Sequence, residues 1–158
     1  MTHVAIETVI MAPLLILQIF LLPMVATTMT SYWTDNSRQV AVQDTANQLA
    51  GVIQQLYISL NTKEVLNGTI RWTSTLPTEV VSYPYTANAS LHSSLGSNSS
   101  KILVLQVKLL KAGNTATTSV TFGSNVLWNQ ASFFYSDSST AAIEVQKKFD
   151  GTLSFSFK

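Results

Sequence analysis

The sequence predicts an α+β protein, with a long N-terminal hydrophobic α-helix followed by a C-terminal antiparallel β-sandwich head. Three observations carry this. Residues 9–26 are almost wholly apolar, residues 27–61 hold no proline, and from Lys63 onward short extended runs alternate with turn signals. At 158 residues the chain is long enough for one proper core and hardly for two.

The helix comes first. Val9 to Ala26 reads VIMAPLLILQIFLLPMVA, interrupted only by Gln18, Pro13 and Pro23. Val9, Ile10, Leu14, Leu15, Ile16, Leu17, Ile19, Phe20, Leu21 and Leu22 leave no polar face, so an isolated soluble helix cannot bury them. The length suits a bilayer span of about 20 residues. Each large apolar side chain contributes ~1.5–3 kcal/mol when fully buried. This segment must lie in lipid or against other protein.

From Thr27 to Asn61 there is no proline and a single glycine, Gly51. Val42, Ala46, Leu49, Ile53, Leu56 and Leu60 recur at steps of four and three, a seam of period roughly 3.5. Gln39, Gln43, Asp44, Asn47, Gln48, Gln54 and Gln55 fall on other faces. The pattern predicts an amphipathic helix laid on a globular head. Pro13 and Pro23 each remove a backbone donor and tend to kink a helix, which an apolar setting can absorb. Residues 2–60 read as one long, bent helix of about 90 Å. The alternative is two helices broken near Thr27–Thr30. The predicted division is therefore 1–61 for the helix, with 1–26 hydrophobic and 27–61 packing on the head, and 62–158 for the head itself.

From Lys63 the texture is β. Candidate strands are Thr69–Ser74, Glu79–Tyr83, Ile102–Leu110, Thr115–Phe122, Ser132–Tyr135, Ala141–Phe149 and Thr152–Lys158. Asn67-Gly68 and Asp150-Gly151 signal tight turns between extended runs. Leu153, Phe155 and Phe157 alternate with polar residues, as on a half-buried strand. About seven short strands suggest a small sandwich. The Ser/Asn-rich stretch from Thr86 to Ser100 is predicted as the least ordered loop.

Composition excludes more than it identifies. Charged residues are 11% of the chain, hydrophobic residues 46%, and the net charge is +1, with the basic residues scattered. No electrostatic case arises for nucleic acid. Cysteine is absent, which removes disulfides, thiol nucleophiles and cysteine-ligated metals. Before Arg38 there is no Lys or Arg, and only Glu7 and Asp35 are acidic. A secretory signal needs a basic region ahead of its apolar stretch. Either this is no signal peptide, or a basic leader has already been removed; the second reading is preferred.

Catalysis finds little support. His3 lies by the terminus and His92 in a Ser-rich stretch, with no metal or triad spacing. Asp137 and Asp150 belong to predicted turns, Glu79 and Glu144 to predicted strands, and no phosphate-binding loop occurs. The chain is expected to be no enzyme and to carry no cofactor. Asn67, Asn88 and Asn98 begin Asn-x-Ser/Thr patterns in predicted turns or loops, either glycosylation acceptors or ordinary turn residues. Glu7 beside the apolar segment is either a pairing partner for a neighbouring subunit's terminal amine or a charge at the helix's exposed end. Gln18 could hydrogen-bond between packed helices or be simply tolerated. Trp33, Trp72, Trp128 and Tyr83-Pro84-Tyr85 are read as core or interface aromatics in preference to an adhesive face.

An apolar N-terminal segment, an amphipathic continuation and a β head together resemble type IV pilins, most closely the archaeal adhesion-pilus branch related to archaeal flagellins. The resemblance is architectural and spans the whole chain. It implies that Val9, Ile10, Leu14–Leu17 and Ile19–Leu22 form a polymerisation core, that copies of the chain are the principal partner, and that the heads coat a helical filament. It further implies a prepilin peptidase, an assembly ATPase and a membrane platform protein. The precursor would reside in the cytoplasmic membrane and the mature filament outside the cell. Archaeal surface filaments are often glycosylated, which bears on the three asparagines. In many bacterial pilins a glutamate near the mature start pairs with a neighbour's amine; Glu7 is the nearest acid here. Pro23 resembles the kink-forming proline of bacterial pilins, and Pro13 has no counterpart. Flagellins have a more uniform Val/Ala/Gly-rich segment, so a motility filament is the lesser expectation. The competing reading is a monomeric, membrane-anchored β domain that binds a solute or polymer.

Overall fold

Helix α1 runs unbroken from Thr2 to Leu60 and carries Pro13 and Pro23 within it. The computed structural model describes residues 2–73, 75–93 and 100–158, with side chains at Met11 and from Pro13 onward. The break considered near Thr27–Thr30 is not seen. Threonine hydroxyls there turn back onto the helix, Thr27 Oγ1 donating to the Pro23 and Met24 carbonyls at 3.0 and 2.9 Å, Thr28 to Met24 at 2.8 Å and Thr30 to Ala26 at 2.9 Å. Such back-bonding gives each hydroxyl a partner inside the helix, at a slight cost in helix stability and a tendency to bend it.

The chain divides into two compact units, residues 1–37 and 38–158. The first is helix alone. In the second, α1 buries one seam: Val42, Ala46, Leu49 and Ile53 are fully buried, and Ala50, Leu56 and Leu60 nearly so. Gln54, Gln55 and Ile58 on other faces are exposed.

The rest of this unit is β. The strands are β1 (Gly68–Thr73), β2 (Glu79–Val80), β3 (Tyr83–Ser93), β4 (Lys101–Leu109), β5 (Thr115–Phe122), β6 (Val126–Trp128), β7 (Phe134–Tyr135), β8 (Ala142–Lys147) and β9 (Leu153–Phe157). One sheet has the order β1-β8-β9-β6 and the other β2-β3-β4-β5, with β7 also paired to β3. All pairs are antiparallel except β6 with β9, which run parallel. Buried side chains from both sheets and from α1 form one hydrophobic core. A line of rings crosses it from Tyr57 to Phe122 (4.9 Å between centroids), Phe155 (5.8 Å), Trp128 (6.2 Å), Phe157 (5.0 Å), Phe134 (5.7 Å) and Tyr85 (6.1 Å). These distances suit offset or edge-on aromatic packing.

Several strand expectations need correction. Thr86–Ser93, expected within the least ordered loop, belongs to β3, where Tyr85, Ala87 and Ala89 point inward and Asn88 outward. Small alanines carry the inward face, so the stretch lacks the β-branched and aromatic signal that marks a strand. Residues 94–99 lie outside those described. Glu79–Tyr83 is not one strand: Val81 and Ser82 take positive φ of 50° and 64° and reverse the chain between β2 and β3. Two left-handed residues match the favoured hairpin turn, but Val lacks glycine's freedom there, and no Asn-Gly flags it. The short β6 was missed as well. Asn67-Gly68 is no hairpin turn: Gly68 opens β1 without positive φ. Asp150-Gly151 does turn between β8 and β9, with Gly151 at φ 81° and the Lys148 and Thr152 backbones hydrogen-bonded across it.

Tyr85 shows where this core is imperfect. Its ring is fully buried and its hydroxyl has no hydrogen-bond partner among the described residues. Burial pushes its pKa up to about 12 from an ordinary 10.0. Below pH ~10 both folded and unfolded states keep the proton, so stability is complete. Between about 10 and 12 the unfolded tyrosine ionises while the folded one does not, and stability falls by up to ~1.4 kcal/mol per pH unit. Tyr85→Phe is expected to be neutral or stabilising by up to ~2 kcal/mol at pH 7 and to lose this alkaline component. Urea midpoints of both proteins at pH 8 and pH 11.5 check it; equal losses on going to high pH would place the effect elsewhere.

Candidate assembly surface

Every described side chain from Met11 to Trp33 is exposed. The apolar ones include Leu14, Leu15, Ile16, Leu17, Ile19, Phe20, Leu21 and Leu22, with Phe20 at 73% and Leu22 at 70% exposure. Val9 and Ile10, expected in the polymerisation core, and Glu7, the possible pairing partner for a neighbour's amine, are described only as helical backbone. Within the exposed surface, Pro13, Ile16, Leu17, Phe20, Leu21 and Met24 line a shallow apolar groove along one side of the helix. Gln18 is also exposed. By length and composition this is a helix that could cross a membrane.

The apolar surface extends further than the run of large residues suggested. Met29 (54% exposed), Tyr32 (71%) and Trp33 (68%) continue it past Ala26, across a stretch whose threonine hydroxyls are already bonded to the helix backbone. Thr34 does the same, donating to the Thr30 carbonyl at 2.8 Å. Sequence reading stopped at Ala26 because threonine counts as polar. A Thr-rich helix flanked by aromatics was the available signal.

In the second unit, Arg38 lies over the Tyr83 ring, 5.1 Å from its centroid, and donates to the Tyr83 hydroxyl at 3.3 Å. Gln39 Nε2 donates to the Thr115 carbonyl at 2.9 Å. At the other end of the seam, Tyr57's hydroxyl accepts from Gly123 N–H (3.1 Å) and Asn61 Nδ2 (2.9 Å). Asn125 Nδ2 donates to Asn61 Oδ1 and to the Gly151 carbonyl. A methyl at position 123 would stand 3.0 Å from the Tyr57 hydroxyl, so a larger residue there would have to push that hydroxyl back by a few tenths of an ångström. Lys147 is buried and its Nζ donates to the Leu60 and Thr62 carbonyls at 2.8 and 2.7 Å, closing the end of α1. Nothing in the sequence pairs Lys147 with Leu60; the contact exists only once β8 is in place.

The remaining candidates scatter. Asn67 is exposed at a bend before β1, Asn88 lies on the outer face of β3 opposite Gln106, and Asn98 is outside the described residues. Asn88 is thus not in a loop, contrary to expectation. His92 is exposed on β3, its Nε2 2.9 Å from Ser90 Oγ. Asp150 is fully exposed, and the Thr152 N–H hydrogen bond holds its carboxyl below the usual range. Trp128 and Tyr85 are core residues, Trp72 and Tyr83 are half-buried, and Trp33 is exposed.

Comparison with protein-family models, with curated proteins and with solved structures returns no match.

Proposed function

We propose that this chain is a structural subunit of an extracellular filament of the type IV pilus kind, assembled through the apolar part of α1 and serving surface adhesion. The observation that carries the reading is the helix from Met11 to Trp33, apolar on all sides and uncovered in the single chain, joined to a unit with a complete core of its own. A surface of that kind demands a dry partner, and other copies supply one of matching length and character. Two sheets enclosing one aromatic core, with α1 along them, support reading residues 38–158 as a pilin-like β-sandwich head. On this reading the subunit is not an enzyme and binds no cofactor. Leu14–Leu17 and Ile19–Leu22 form the polymer core, and membrane machinery extracts the precursor from lipid. Glycans on Asn67 would sit on an exposed bend and leave the fold intact.

The second reading shares the helix but leaves it permanently in lipid, and the membrane-compatible length favours it to that extent. Negative-stain electron microscopy of the purified, detergent-depleted protein separates the two. Uniform fibres are expected. Discrete particles that keep detergent and never elongate would establish the anchored β domain instead.

A further inference from the structure

The exposed helix has an internal scale. Between Glu7 and Asp35 the chain carries no charged residue. That interval is about 27 residues, or about 40 Å of helix at 1.5 Å per residue. A bilayer with its interfacial layers is ~40–45 Å thick and its hydrocarbon ~30 Å. The large apolar run alone, from Val9 to Ala26, covers about 27 Å, at the short end of what spans the hydrocarbon.

The residues that would complete the span are Thr27, Thr28, Met29 and Thr30. A hydroxyl entering hydrocarbon without a partner costs several kcal/mol. Here each threonine hydroxyl already donates to a carbonyl three or four residues back at 2.8–3.0 Å, so no unpaired donor is carried in. Past Ser31 stand Tyr32 and Trp33, both exposed and both of the type that settles where apolar and wet layers meet. Asp35 and Arg38 follow, the first charges on this side. Four features therefore mark the same level on the helix.

We propose that, before assembly, α1 occupies a lipid bilayer with its water boundary at Tyr32–Trp33, so that Thr27–Thr30 lie inside the hydrocarbon. This rests on the reading that the helix passes through lipid on its way to the filament, and it assigns a depth to that stage. The bound partner is the bilayer itself, recognised by length and by an aromatic collar. A charged headgroup is not required, since no cationic side chain lies within the span.

The chain contains no cysteine, so single cysteines report without background. Ala26→Cys, Thr28→Cys, Thr30→Cys, Asn36→Cys and Ser37→Cys are placed in phosphatidylcholine nanodiscs at one chain per disc. Each is reacted with a water-soluble maleimide and compared with its rate in denaturing detergent. Protection of at least tenfold is expected at positions 26, 28 and 30, with near-full reactivity at 36 and 37. If 28 and 30 react as fast as 37 while 26 stays protected, the boundary lies at Ala26 and the proposal fails. Full reactivity at all five positions, or protection extending through 37, also overturns it. Fibre formation by the same variants is scored separately by microscopy. Fibres from a chain whose position 28 is reactive in nanodiscs would refute the depth and leave the filament standing. Protection at 28 and 30 without any fibres would do the reverse.

Discussion

Leu15→Asp is expected to abolish fibre assembly while leaving the β-rich unit as stable as before. Leu15 is 57% exposed in the single chain and belongs to the unit that is helix alone, so the substitution removes no contact from the core of residues 38–158. In a filament core the same position would be dry. No lysine or arginine precedes Arg38, so the apolar stretch of its own or an identical helix offers a carboxylate there no basic side chain. Burying an isolated charge in an apolar helix costs at least ~3 kcal/mol per subunit, and more where water cannot follow. At 1.4 kcal/mol per factor of ten, each addition step weakens by at least about a hundredfold. Sedimentable fibre should vanish at concentrations where the parent assembles. Leu15→Met, which conserves volume and apolarity, should assemble normally. Urea unfolding of both variants should superimpose on the parent. Normal fibre yield from Leu15→Asp would mean that the exposed helix is not the assembly surface.

The α+β class was legible because its two halves speak in different periods. An apolar run without a polar face can only be a helix needing a dry partner. Leu153, Phe155 and Phe157, alternating with Ser154 and Ser156, can hardly be anything but a strand. Along α1 the three-and-four step from Val42 to Leu60 recurs in which residues are buried. What escaped was set by tertiary context. The buried inward residues of β3 include Ala87 and Ala89, and alanine has no strand signature. The Val81-Ser82 turn uses residues that local preference argues against, held by pairing of Val80 with Tyr83. Strand β6 is three residues long and pairs parallel with β9, a partner far along the chain, so no local hairpin pattern announces it. Along the exposed apolar helix, the threonines hid the true extent of the uncovered surface. Their polarity is real in the sequence and absorbed by the backbone in the fold.

Lys147 carries the second large effect. A helix ends with carbonyls that its own backbone cannot satisfy, and α1 has no basic residue in its last turn to meet them. The ammonium of Lys147 reaches the last of them from β8, bonding the Leu60 carbonyl and the Thr62 carbonyl just past the helix from a side chain only 8% exposed. The cation also opposes the partial negative charge at the helix C-terminus. Lys147→Met keeps the apolar stem and removes the donors. The Leu60 carbonyl then stays buried and the Thr62 carbonyl part-buried without this donor, at up to ~3 kcal/mol each, offset in part by no longer desolvating an ammonium. A net loss of about 2–4 kcal/mol is expected, a large share of a typical domain's 5–15 kcal/mol. Urea unfolding measures the total. Hydrogen exchange locates it: amides of α1 from Ile53 to Leu60 should open faster, whereas the pairing of β4 with β5 should change only with global stability. Lys147→Arg, retaining donors in a bulkier group, should fall between the two. If Lys147→Met unfolded at the parent's midpoint, the end of α1 would have to be closed by some other contact, and the buried cation would be incidental to how the helix is held on its sheets.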